Sequence, residues 1–265
     1  ALNYARKFGD HNVTALLLYN QSKKYYPSEY SDIPTGYVGL VGRVTYDWKT
    51  RYMAEFNAGY NGSENFAKGK RFGFFPSIAL GWLVSEEQFM EPIRNVISKL
   101  KLRASVGTVG NDNIGGRRFA YITTINSKAN GYNWGYTGDT YRDGVQEGEV
   151  GVGNLTWEKA LKTNIGIELG LWNELDLQLD LFKERRTSIF KQRATIPTLT
   201  GFINNPYANY GKVDNKGIDL SLNYNKRINK DCNISVRGTF TYAKNTIIER
   251  DEPESVKGTY RSITG

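Results

Sequence analysis

The segment NGYNWGYTGDTYRDG, Asn130 to Gly144, concentrates the residues best suited to recognising a ligand. Tyr132, Trp134, Tyr136 and Tyr141 offer flat π-faces, and Asn133, Asp139, Arg142 and Asp143 offer hydrogen-bonding groups. Sugars and peptides need that mixture, apolar faces to stack on and polar groups to orient them. The expected ligand-binding set is Tyr132, Asn133, Trp134, Tyr136, Asp139, Tyr141 and Arg142. A loop packing on itself or on a partner is the plainer reading of the same residues. Catalytic chemistry finds no comparable cluster. His11 is the one histidine and sits beside Asp10 in a turn, where a capping or hydrogen-bonding role is the ordinary one. Glu86-Glu87 and Asp251-Glu252 are adjacent pairs, and adjacent side chains on a strand point to opposite faces. GTVGNDNIGG lacks the strand-GxGxxG-helix setting that cradles phosphate and reads as a turn. Cys232 is the only cysteine, which excludes an internal disulfide and any cysteine-rich metal site. No enzyme activity, metal or cofactor is expected.

These residues need a scaffold, and composition narrows it. The chain has 265 residues, 28 of them glycine and 18 tyrosine, with aromatics at 13% and only 2 methionines. That mixture suits an all-β protein with many turns. No apolar run is long enough for a membrane helix. The net charge of +8 is dispersed, with doublets at Lys23-Lys24, Arg117-Arg118 and Arg185-Arg186 and no basic run, so no nucleic-acid partner is expected.

The pattern along the chain has a period of two. Leu175, Leu177, Leu179 and Leu181 alternate with Asp176, Gln178 and Asp180. The same holds for Leu161 to Leu171, Ile218 to Tyr224, Ile234 to Tyr242 and Leu100 to Val106. Each segment therefore has one apolar and one polar face. Lys162, Glu168, Asp176, Asp180 and Arg237 fall on the polar face. Val13 to Tyr19, Val38 to Trp48, Tyr52 to Tyr60 and Phe75 to Val84 also read as strands; Pro76 is tolerated near a strand start. Glu86 to Ser98 is the one helical suspicion, limited by Pro92.

Short turns at Phe8-Gly9-Asp10-His11, Trp48-Lys49-Thr50, Trp172-Asn173-Glu174 and Ile228 to Asp231 alternate with longer polar loops at Gln21 to Gly36, Asn61 to Phe74 and Lys191 to Tyr207. Short on one side and long on the other is the habit of outer-membrane barrels. If all short turns share one side, Thr108 to Asn154 must be one external excursion. Phe119 to Ile125 looks like a strand within it, half of a loop hairpin or part of an unrecognised wall hairpin. About ten wall strands result. Tyr46, Trp48, Tyr52, Tyr60, Trp82, Trp157, Trp172, Tyr207, Tyr210 and Tyr224 cluster near strand ends, as interfacial girdles do. A soluble β-sandwich carbohydrate-binding module would alternate in the same way, but sandwich strands average ~5–6 residues.

The order of local motifs separates these alternatives. YARKFGDHN (Tyr4 to Asn12), GRVTYDWKTRYMAEF (Gly42 to Phe56), RFGFFPSIALGWLVSEEQF (Arg71 to Phe89), LKLRASVGTVGNDNIG (Leu100 to Gly115), LTWEKALKTNIGIELGL (Leu155 to Leu171), LDLFKERRTSIF (Leu179 to Phe190) and NYGKVDNKGIDLSL (Asn209 to Leu222) follow one another in this order. The chain thereby resembles the barrel of the SusC/RagA-like TonB-dependent outer-membrane transporters of Bacteroidetes, nearly end to end. It departs from them at AGYNGSENF (Ala58 to Phe66), where the family often carries an Arg-Asp-Gly-Ser-Ser-like stretch, and at Val106, commonly Tyr. The resemblance implies an antiparallel up-and-down transmembrane β-barrel with short periplasmic turns and long extracellular loops. It further implies that residues 1–265 are one barrel portion of a longer receptor, with residues 108–154 a long extracellular loop, because such barrels have 22 strands. The plug, the TonB-contacting segment and the terminal strands would lie outside it. The implied function is TonB-dependent import across the outer membrane, with outer-membrane lipid around the wall. Its implied partners are a SusD-like surface lipoprotein, the TonB complex through the N-terminal part, and an oligosaccharide or peptide ligand.

Overall fold

The computed structural model describes the backbone of residues 1–26, 31–230 and 232–265, and the side chains of these except 26 and 31–33. Twelve strands follow in order: β1 (Leu2–Phe8), β2 (His11–Tyr26), β3 (Ser31–Trp48), β4 (Tyr52–Ser63), β5 (Phe72–Leu83), β6 (Ile97–Asn111), β7 (Ile125–Trp134), β8 (Thr140–Glu147), β9 (Glu158–Leu171), β10 (Leu175–Gln192), β11 (Tyr207–Arg227) and β12 (Asn233–Glu249). Ten of them form a single antiparallel sheet in the order β1-β2-β3-β4-β5-β6-β9-β10-β11-β12, and β7-β8 is a separate hairpin. The sheet is one stretch of barrel wall, unclosed because the chain covers only part of the barrel.

The expected alternation sets the two faces. Leu181, Ile165, Ala104, Leu80, Ala54 and Tyr46 lie in one cross-strand row, and Leu179, Ile167, Leu102, Trp82, Tyr52 and Trp48 in a neighbouring one. These side chains are not buried against a second sheet: Leu80 is 55% exposed, Ile165 56% and Phe56 49%. The surface totals 18330 Å², against ~11,700 Å² expected for a compact protein of 30.0 kDa. A β-sandwich would bury that apolar face, so this alternative is not favoured; an acyl-chain solvent is what the face fits.

At the short-turn end the outward aromatics form a continuous stack. His11 stacks on Tyr46 and Trp48, Trp48 on Tyr52 (5.6 Å), and Tyr52 on Trp82 (6.2 Å). Tyr60 and Phe72 stack at 5.0 Å near the other end. Eight residues separate Tyr52 from Tyr60, ~27 Å along a strand and ~20 Å across a membrane at barrel tilt.

The short connections are tight because both central residues are left-handed. Lys49 and Thr50 (φ 53° and 57°) and Trp172 and Asn173 (φ 53° and 56°) make two-residue hairpin turns of the primed type, closed by Arg51 N–H to Trp48 O and Glu174 N–H to Leu171 O. Glu86 to Ser98 forms no α-helix. It holds 3₁₀ turns at Val84–Glu86 and Gln88–Ile93, with Pro92 inside the second.

The long connections differ from expectation in extent. β2 and β3 run through most of Gln21 to Gly36, and residues 27–30 of that loop, like Asp231 of the last turn, lie outside the described residues. The next connections span 64–71 and 193–206. The excursion spans 112–157, not 108–154, since β6 and β9 stay paired up to Asn111 and Glu158. Phe119 to Ile125 is turn and irregular chain, with strand beginning only at Ile125. Pro76 lies inside β5, opposite Ala58; β6 pairing begins one residue on, at Ser77. Proline lacks the N–H that a ladder on that side would use.

Candidate functional site

The excursion between β6 and β9 has a packed base and an exposed tip. At the base, Phe66, Phe75, Ile114, Val152, Leu155 and Trp157 form the one sizeable buried cluster among the described residues. It sits where the sheet parts above Pro76: Trp157 meets Phe66 and Phe75 at ring-centroid distances of 5.0 and 5.3 Å, and a Cβ on Gly110 would strike the Phe75 ring at 2.0 Å. Trp157 is thus not a girdle residue. It is 4% exposed and donates from Nε1 to Arg71 O. Tyr207 is not one either; it stacks on Phe190 and lies under the Arg117 guanidinium, which donates to its hydroxyl at 2.6 Å.

Polar clamps tie this base to the neighbouring connections. Lys70 Nζ donates to Gly153 O and Asn154 Oδ1, and Asn65 Nδ2 to Asp112 O. Asn209 accepts from the Thr156 amide and donates to Thr156 O and Ser188 O. Arg193 (Nε to Oδ2, 2.8 Å), Thr195 and the amides of Ala194 and Thr195 all donate to Asp251, which is followed by the chain's last turns. Partial burial pushes the Asp251 carboxyl up, but these hydrogen bonds outweigh it and hold it well below the usual carboxylate range.

Above the base stands the β7–β8 hairpin. Gly131 and Gly144 allow the two backbones to close: a Cβ there would come within 1.7 Å of Arg142 O and 2.3 Å of Asn130 O. The tip turns through Gly135 and Gly138, both with positive φ. Tyr132 lies opposite Arg142 and Trp134 opposite Thr140, so Tyr132, Trp134 and Arg142 share one face. Asn133 and Tyr141 are opposite each other on the other face, where the Tyr141 hydroxyl accepts from the Gly131 amide at 2.9 Å. Tyr136 and Asp139 belong to the tip. A hydrogen bond from Thr137 holds the Asp139 carboxyl below its ordinary value. Tyr132 and Trp134 meet edge to face at 5.6 Å, 69% and 60% exposed, and Tyr136 is fully exposed. The seven expected residues thus split into an aromatic-basic face, an opposite face and a tip.

The inner face of the wall carries ion pairs. Arg103 reaches across Gly166 to Asp180 at 2.6 Å, Gln178 donates to the same carboxylate, and Glu168 takes Lys99 at 2.7 Å. Glu168, Gln178 and Asp180 share the polar periodicity visible in the sequence; their pairing across strands does not show there. A cleft of about 530 Å³ near the mouth, lined among others by Lys23, Tyr37, Glu64 and Arg71, was not signalled by any motif. Glu64 Oε1 is buried there with no hydrogen-bond partner among the described residues.

An open antiparallel wall, largely apolar outside and ion-paired inside, with its two-residue turns at one end and its longest excursion at the other, defines an outer-membrane β-barrel protein. The TonB-dependent receptor-like β-barrel family matches residues 1–263, and the chain belongs to that family. It is 33% identical over 213 residues to the TonB-dependent receptor SusC of Bacteroides thetaiotaomicron, covering 79% of this chain and 20% of SusC. It is 29% identical over 246 residues to the TonB-dependent receptor P3 of Formosa agariphila, covering 92% of this chain and 24% of that protein. The chain therefore spans about a fifth to a quarter of the length of these curated relatives. The structure of the RagAB peptide transporter superposes with a TM-score of 0.74 at 22% identity, over 93% of this chain and 29% of that one. The siderophore receptor PirA of Pseudomonas aeruginosa superposes with a TM-score of 0.57 at 15% identity, over 90% and 40%. These two likenesses are likenesses of fold. The SusC/RagA-like resemblance, the barrel and the outer-membrane location all stand.

Proposed function

We propose that this chain supplies wall and outer mouth to a TonB-dependent importer of oligosaccharides or peptides that works with a SusD-like surface lipoprotein. The observation that carries this reading is the two-sidedness of the wall: a broad band of uncharged, half-exposed side chains outside, with charge only toward the rim, and paired charges at the same heights inside. Residues 1–265 form one barrel portion, and residues 112–157 its long extracellular loop. Tyr132 and Trp134 stack on sugar rings or apolar peptide side chains, and Arg142 on the same face orients them. Asn133, Tyr136, Asp139 and Tyr141 add contacts from the opposite face and the tip. No covalent step is needed; force from the TonB complex acts through other parts of the receptor.

The test is growth of the parent bacterium lacking this gene on single oligosaccharides or on peptides, with the full-length gene restored as wild type or as Tyr132→Ala/Trp134→Ala. Loss of growth on one ligand class, restored by the wild type and at least tenfold less by the variant, is expected. Unchanged growth on every source without the gene overturns the importer reading. Full restoration by the variant overturns the assignment of the hairpin alone.

A further inference from the structure

Lys183, Lys216 and Lys244 lie directly opposite one another on three adjacent strands, β10, β11 and β12. Their parity is that of Leu181, Ile218 and Tyr242, the row immediately below, so they stand on the lipid-facing side, and all three are exposed. Like charges directly opposite each other oppose strand pairing. Neutralisation from within the protein is incomplete: Asp214 attracts Lys183 and Lys216 only from a distance. Among the described residues none of the three has an ion-pair partner. The carboxylate on this face near them, Asp214, is already taken by a two-pronged contact from Arg185 at 2.8 and 2.7 Å. Lys159 on β9 adds a further exposed cation to the same face.

Height supplies the second observation. Lys183 is eight residues along β10 from Leu175, with only leucines on the outward side between them. That is ~27 Å along the strand and ~20 Å across the bilayer, and the lysine stem reaches a few Å further, to the upper edge of a ~25 Å apolar band. The outward faces of β3 from Val38, β4, β5 and β6 from Leu100 carry no charged side chain at all. The lysines are therefore not a general feature of the rim.

We propose that this lysine row binds the phosphate of an anionic lipid headgroup in the outer leaflet. Three ammonium groups in line across neighbouring strands neutralise one or two phosphates, and the leucine and tyrosine rows below receive the acyl chains. The proposal rests on the barrel orientation given under the proposed function.

The full-length receptor is purified as wild type, as Lys183→Gln/Lys216→Gln/Lys244→Gln and as Lys216→Gln alone. Each is placed in phosphatidylcholine nanodiscs with or without phosphatidylglycerol or diphosphorylated lipid A, and retained lipid is read by native mass spectrometry. The wild type is expected to hold phosphate lipid over phosphatidylcholine at least tenfold better than the triple variant, with Lys216→Gln between them. A second reading is thermal unfolding: phosphate lipid raises the wild-type melting temperature and leaves that of the triple variant unmoved. Equal retention by all three overturns the proposal, as does equal preference for phosphatidylcholine. Displacement of the lipid by millimolar inorganic phosphate would show a free-phosphate site instead and also overturns it. If the triple variant does not fold, retention by Lys216→Gln equal to wild type overturns it. Absence of the full-length receptor from outer-membrane fractions would instead refute the reading on which it rests.

Discussion

The β3–β6 half of the wall and the β9–β12 half meet the same membrane with different chemistry. In β3–β6 the outward face is bounded by stacked rings, Trp48, Tyr52 and Trp82 at one end and Tyr60 with Phe72 at the other. In β9–β12 leucines and isoleucines give way upward to Lys183, Lys216 and Lys244. Rings hold a height by being amphipathic and need no partner, whereas lysines hold it only where anions are available. The difference teaches that one barrel can be anchored by two mechanisms, one indifferent to headgroup charge and one dependent on it.

The strongest way to test the shared part of that comparison is to place charge in the middle of both halves. Leu80→Arg on β5 and Ile167→Arg on β9 should each cost ~2–4 kcal/mol, measured by urea unfolding of the full receptor from vesicles. Thr163→Arg, directly opposite Lys183 at the height of the lysine row, should cost ~0–1 kcal/mol. Equal costs at all three positions would break the assignment of the outward face.

The seam between the halves comes next. Gly166 on β9 lies between Arg103 on β6 and Asp180 on β10, and an added Cβ would sit 2.5 Å from Arg103 Nε and 2.6 Å from Asp180 Oδ1. Gly166→Ala should displace the pair and cost ~1–3 kcal/mol; the same unfolding assay checks it, with Gly238→Ala, which meets open space, as the control.

A smaller effect separates the anchors. Tyr52→Ala removes a ring stacked on both Trp48 and Trp82 and should forfeit ~0.5–1.5 kcal/mol for each pair beyond its area. That loss should be the same in zwitterionic and anionic vesicles. A loss that changes with headgroup charge would erase the contrast with β9–β12.

The smallest effect is confined to the mouth. The Asp251 carboxyl is held below its ordinary range by Arg193, Thr195 and two amides. A lowered folded value means these contacts contribute above the ordinary carboxylate range and are lost only as pH falls through the lowered value. Hydrogen exchange at Ala194 and Thr195 should stay slow from neutral pH well into acid, and become fast at neutral pH in Asp251→Asn. Fast exchange in the wild type at neutral pH would contradict the clamp.

Much of the wall could be read in the chain, and particular residues show why. Leu175 to Leu181 and Ile218 to Tyr224 alternate so regularly that both faces follow from the period alone. Short connections at Gly9, Lys49 and Asn173 order the strands and force a single excursion between β6 and β9. Local chemistry misled elsewhere. Trp157 and Tyr207 lie near strand ends like girdle residues, yet contacts from distant connections bury one and stack the other. Phe119 to Ile125 has strand-like residues, yet it makes only scattered backbone hydrogen bonds to residues 148–152 and regular pairing starts at Ile125, opposite Glu147. The binding set Tyr132 to Arg142 was legible as a composition, not as a face.

Periodicity, turn placement and the family motifs are local properties, so the sequence alone determined the all-β class, the order of the wall strands and which side chains within each wall strand share a face. Register is not local. Only the paired strands decide that Lys183 meets Lys216 and Lys244, that Arg103 passes over Gly166 to Asp180, and that Tyr132 and Trp134 stand with Arg142 but apart from Asn133. A slip of one residue would turn each of those side chains to the opposite face, and contacts between segments tens of residues apart are what forbid it.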